Sequence, residues 1–178
     1  MALFATSQLA ELGPGPRSGV RPLAELEGEL KSLLGNSGLA QTTGDLIRAL
    51  VLLWHDHLDA SHTISQGIEN PDGSFLHAIM HRREPDYWNS KYWWRRVGKH
   101  PCFLELGRRV MAFLDSRGEG ELCARLDPHG QWDPFAFVEA CETAASGAKS
   151  SKQIQVLREV QRIETEVALE FFLQRGAG

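Results

Sequence analysis

Apolar residues recur three and four positions apart through most of this chain. Nowhere do β-branched and aromatic residues alternate with polar ones over four or more positions between turn signals. The first pattern is that of helices facing a core, and the lack of the second argues against strands. Leu23 to Leu34 reads as a short amphipathic helix stopped by Gly35 and Asn36. A second helix starts at Thr42-Thr43-Gly44-Asp45, which has capping-box spacing, and runs through Leu46, Leu50, Leu53 and Trp54 towards Gln66. Asn70-Pro71-Asp72-Gly73 breaks the chain and caps a third, about Ser74 to Arg83. Pro85 interrupts it, because proline cannot donate the intrahelical bond.

The remaining helices follow the same logic. Asp86 to Val97 ends at Gly98, and Pro101 opens another through Phe103, Leu106, Val110 and Leu114. Asp133-Pro134 is a capped start leading to about Ala145. Ser150 to Gln153 caps the last helix, whose Leu157, Val160, Glu164, Val167 and Phe171 have the spacing of a surface helix. The predicted fold is an all-α, irregular bundle of six or seven helices. Residues 1–21, with Gly13-Pro14-Gly15-Pro16, form an extended N-terminal arm, and 22–178 a single helical domain.

Composition changes this picture little. At 178 residues, 42% hydrophobic and 24% charged, the chain has ordinary globular content for one domain. Its net charge of −4 gives no general reason to expect nucleic acid or an acidic membrane as partner. No apolar run is long enough to cross a bilayer, the longest being Ala49 to Trp54. The three cysteines, Cys102, Cys123 and Cys141, form no CxxC pair. With an N-terminus unlike a signal peptide, they make three free thiols in the cytoplasm the expectation.

The unusual chemistry lies between Trp54 and Pro101, where five of the seven histidines fall between positions 55 and 81. His55, Asp59 and His62 are spaced i, i+4, i+7 on one predicted helix, and His77, His81 and Glu84 repeat that spacing on the next. Imidazole and carboxylate suit zinc, iron or manganese, and bundles build metal sites from facing helices. At roughly 100° per residue, each stripe lies about 120–140° from its own apolar centre in the same rotational sense. In an antiparallel pair this places His62 near His77, and His55 or Asp59 near His81 or Glu84. The same displacement is also that of a solvated face. The H-x3-H spacing is common, and Ala78 stands where H-E-x-x-H needs glutamate. His57 reads as a core histidine, and His100 and His129, beside prolines, carry no signal.

The segment Arg82 to Lys99 is locally basic, with six basic residues against Glu84 and Asp86. Tyr87, Lys91 and Arg95 share one helical row beside Trp88 and Tyr92, a donor-rich surface for phosphate or carboxylate to which Arg82 and Asn89 add. Trp93 and Trp94 read as core. Ser61-His62-x-Ile64-Ser-Gln66 followed by His77-x3-His81-Arg-Arg-Glu-Pro-Asp-Tyr-x-Asn-x-Lys91-Tyr-Trp resembles an uncharacterised family of helical proteins found in bacteria and fungi. The resemblance covers about residues 58 to 101 and implies that this block belongs together, with no reaction attached.

Two functions follow as expectations. One is a metal-dependent hydrolase for a small polar or anionic molecule, with a divalent metal on His62, His77, His81 and His55 or Asp59. In it Glu84 moves the proton, while Arg82, Tyr87, Asn89, Lys91, Tyr92 and Arg95 bind substrate. The other is a non-catalytic module that binds a small anion or a partner protein through the same surface. Nucleic-acid binding has only one basic helix behind it.

Overall fold

The computed structural model describes residues 2–128 and 130–176, which excludes His129. Among these residues there are nine α-helices, one short 3-10 helix at Ala2–Phe4 and no strand. The helices are α1 (Leu23–Gly35), α2 (Gln41–Trp54), α3 (Leu58–Ser65), α4 (Pro71–Arg83), α5 (Tyr87–Val97), α6 (Cys102–Arg117), α7 (Gly120–Leu126), α8 (Pro134–Ala145) and α9 (Ser151–Gly176). None is long and apolar enough to cross a membrane.

Three of the predicted caps form. The Asn70 side chain accepts from the Gly73 N–H at 2.8 Å with Pro71 in the first turn. Asp133 accepts from Phe135 and Ala136. Ser150 and Gln153 cap each other's backbone N–H. The capping box at Thr42 does not form: α2 starts at Gln41 behind Ala40, with no side chain on its first N–H groups.

The helix count departs from six or seven at two breaks. The long helix expected from Thr42 to Gln66 is interrupted at His55-Asp56-His57, where Asp56 takes φ 64°. Its carboxylate accepts from the Arg17 N–H at 3.0 Å and from the Arg17 and Arg83 guanidiniums at 2.6 Å each. Aspartate tolerates the left-handed region better than most residues, and two buried arginines supply the reason to adopt it here. Gly118, left-handed at φ 70°, ends α6 and releases the short α7.

The N-terminal segment is not a free arm. Ala10, Leu12 and Arg17 are buried. Arg158 donates to the carbonyls of Leu9 and Ala10, and Gln161 to that of Glu11, which binds the segment along α9. Nor is α9 a surface helix. It buries a wide face from Val156 to Phe172 and packs on α2, α6 and α8.

The helix at the centre is α4. Every residue from Asp72 to Arg83 is buried. A helix surrounded by protein needs a partner for each polar group it carries. Arg82 lies against Glu164 of α9 through two hydrogen bonds, 3.1 Å and 2.5 Å, with its guanidinium 4.3 Å from the Phe137 ring centroid. Arg83 meets Asp56, the Leu53 carbonyl and the Gly13 carbonyl. Removing one partner of such a pair strands the other charge at a cost of about 3–5 kcal/mol, whereas replacing both with apolar residues is often neutral. Arg82→Met should therefore lower the unfolding free energy obtained from urea titration by that much, and Arg82→Met with Glu164→Leu should recover most of it. An Arg82→Met protein as stable as wild type would show that the pair does not hold α4.

Candidate metal centre

α4 and α5 form a hairpin whose turn, Glu84-Pro85-Asp86, is three residues long. Asp86 caps α5 by accepting from the Asn89 N–H at 3.2 Å. In a tight helical hairpin, residues equidistant from the turn face each other. His77 and Trp93 each lie eight residues from Pro85, and their rings stack with centroids 3.8 Å apart. His81 and Asn89 each lie four residues from it, and the Asn89 amide nitrogen is 3.1 Å from His81 Nε2 and 3.4 Å from Nδ1. A nitrogen nearly equidistant from both ring nitrogens lies over the ring face, along neither lone pair. His81 Nδ1 is directed at Glu84 Oε2, 3.0 Å away.

α3 lies beside α4 and adds His62. Its ring centroid is 4.6 Å from that of His77 and 5.3 Å from that of His81. The three imidazoles together offer nitrogens that all lie within 4.8 Å of one another. An ion with bonds of about 2.0–2.1 Å needs separations nearer 3.3 Å, so the set must contract to hold one. His62 has the freedom to do so. It is half-buried, on a helix of eight residues, and no side-chain hydrogen bond holds it among the described residues.

The other two rings are fixed and uncharged. Burial pushes the His77 pKa down from 6.5 to about 3, helped by the neighbouring His81, His62 and Arg96. Burial also lowers His81, against the pull of Glu84. Neutral imidazoles are what coordination requires, so no proton has to be displaced near neutral pH. His77 Nδ1 is buried without a hydrogen-bond partner, a state that costs about 1–3 kcal/mol unless something fills it. The Glu84 carboxylate on His81 Nδ1 leaves Nε2 as the acceptor, an arrangement common around metal-bound histidines.

The expected set is thus only partly assembled. His62, His77 and His81 come together, with Glu84 and Asn89 against His81. His55 does not join them, because the break at Asp56 turns it away: its Nδ1 accepts from the Arg21 N–H and its Nε2 faces the Leu3 carbonyl at 2.8 Å. Asp59 is exposed and outside the cluster. Arg82, expected on the binding surface, is fully buried and spent on Glu164. Lys91 faces Glu139 and Glu142 at 3.6 Å and 3.5 Å, so its charge is opposed. Tyr87 is half-buried, while Tyr92 and Arg95 are exposed. A cleft of about 470 Å³ lies elsewhere, between α1 and α2.

Two neighbours of the cluster escaped the sequence reading. Trp93 walls His77, and Arg96 reaches over the Trp93 ring, 5.0 Å from its centroid. Reflection of the chain about Pro85 would have paired Trp93 with His77 and Asn89 with His81.

An imidazole whose pKa is depressed by folding takes up a proton only in the unfolded chain between its two pKa values. Stability is then complete above about pH 6.5 and is lost as pH falls towards about 3. In metal-free protein, wild type should lose more stability between pH 7.5 and pH 5 than His77→Gln, measured by denaturant midpoint. Equal losses would mean that His77 does not stay neutral in the fold.

Compared with known proteins, the chain matches no family model, no curated protein and no solved structure.

Proposed function

We propose that this protein binds one divalent transition-metal ion through His62, His77 and His81 and uses it to hydrolyse a small polar or anionic molecule. The observation that carries the proposal is the convergence of three imidazoles from two helices, one with a buried, unpartnered nitrogen. Three protein ligands with a fourth position open is the pattern of catalytic zinc; structural zinc sites are closed by four. Bound there, a metal would polarise the substrate and lower the pKa of a water.

The chain's own residues divide the remaining work. Glu84 holds His81 in the tautomer that presents Nε2, so its geometry supports an orienting role for the carboxylate in place of the expected role as proton carrier. Trp93 excludes water from one face of His77. Arg96, which makes no ion pair among the described residues, supplies the positive charge beside the cluster that Arg82 and Lys91 do not. One observation favours a second reading, a contact surface for another protein: Trp88 is 75% exposed and Tyr92 41%.

Metal uptake tests the proposal. Untagged protein stripped with chelator should bind one equivalent of zinc or cobalt, and His62→Ala should abolish uptake while Lys91→Ala leaves it intact. Glu84→Gln should weaken affinity about 10- to 100-fold. Arg96→Ala should keep the metal but weaken binding of phosphate or carboxylate ligands by roughly ten- to a hundredfold, as expected for one charge-assisted hydrogen bond. No uptake by wild type, or unchanged uptake by His62→Ala, would overturn the assignment.

A further inference from the structure

Away from the three histidines, the start of α6 carries a second cluster of reactive groups. Gly98 ends α5 at φ 62°, ψ −137°, a conformation open mainly to glycine. The turn that follows brings His100 beneath the first residues of α4. His100 Nε2 lies 2.8 Å from Asp72 Oδ1, and His100 Nδ1 lies 2.9 Å from Cys102 Sγ. The second carboxylate oxygen of Asp72 accepts from Arg175 at 3.2 Å. Asp72 therefore accepts from the Nε2–H of His100, which leaves Nδ1 as the acceptor facing the thiol. A carboxylate orienting an imidazole, which in turn accepts from a nucleophile, is the arrangement that activates cysteine and serine.

The surroundings give this cluster an approach and an electrostatic direction. Cys102 lines a cleft of about 430 Å³ with Phe171, Val167, Gln174 and Arg109. It is also the first residue of the 16-residue α6, which no side chain caps. The partial positive charge of that end favours negative charge forming at the sulfur or on a carbonyl oxygen beside it. Burial, followed by Glu164 and Asp72, pushes the thiol pKa up, so Cys102 rests as the thiol. Arg109 is matched by Glu105 and Glu170 and leaves no free cation in the cleft. The ligand that fits is small and uncharged.

We propose that Cys102, His100 and Asp72 form a second site, in which the thiol accepts an acyl group from a small uncharged ester. The Cys102 proton passes to His100 Nδ1 as sulfur bonds to the carbonyl carbon. The carbon–oxygen bond to the leaving alcohol then breaks, and that oxygen takes the proton back from His100. The products are an S-acyl cysteine and the free alcohol, with no net oxidation.

The other two thiols are internal controls. Cys141 is fully buried in α8, and Cys123 is half-buried against Met111, with its Sγ 3.1 Å from the Met111 sulfur. The full chain, treated with chelator so that the metal proposal plays no part, is exposed to p-nitrophenyl acetate, and acetylation is mapped by mass spectrometry. Cys102 should be acetylated at least about tenfold faster than Cys123, although it is more buried. His100→Gln, if its circular dichroism is native, should slow this about 100-fold, within the range for general-base catalysis. The proposal is overturned if Cys123 reacts as fast as Cys102, if Cys102 reacts only as slowly as Cys141, or if a folded His100→Gln protein reacts at the wild-type rate. The comparison of thiols needs no variant, so it decides the matter even if His100→Gln does not fold.

Discussion

The pairing of Arg82 with Glu164 permits α4 to lie in the middle of this molecule. A helix enclosed by other helices cannot carry an unmatched charge, and α4 ends in two arginines. Glu164 answers the first from α9 and Asp56 answers the second from the break between α2 and α3. These matches also fix the neighbours of α4. Asp56 serves Arg17 as well as Arg83, so the N-terminal segment closes over the same point. Gln161, one turn from Glu164, binds the segment at Glu11. The ion pairs thus connect α9, the break between α2 and α3 and the N-terminal segment to one helix.

Both candidate sites are consequences of that burial. Once α4 is enclosed, its histidines lose most of their contact with water, which keeps them neutral and leaves His77 Nδ1 without a partner. The break at Asp56 frees α3 as a separate short helix, and this brings His62 against α4 while sending His55 elsewhere. At the other end of α4, Asp72 is nearly as buried and is satisfied by His100 and Arg175. One helix therefore contributes its last turns to an imidazole cluster and its first turn to a thiol cluster.

How much of this was legible depended on the distance over which its cause acts. Helical class, the caps at Asn70 and Asp133 and the stop at Gly98 are local, and the sequence shows them. The meeting of His62 and His77 agrees with the sequence expectation, but the stripe behind that expectation runs along one continuous helix from Leu50 to His62, and the break at Asp56 removes that continuity. The break itself was not legible. His55-Asp56-His57 has neither glycine nor proline, and the arginines that draw Asp56 out of the helix lie 39 and 27 positions away. The same holds for the binding surface: nothing near Arg82 reveals that Glu164, 82 positions on, consumes it. His100 and Cys102 are close in sequence, but only Asp72, 28 positions back, gives them meaning.

Whether three imidazoles hold one ion is tested most directly by X-ray absorption at the zinc edge of stoichiometrically loaded protein. The expected result is a first shell of four light atoms at about 2.0–2.1 Å, with the multiple scattering of three imidazole rings. A sulfur shell near 2.3 Å, or a shell of oxygens without imidazole scattering, would place the ion elsewhere and contradict the account.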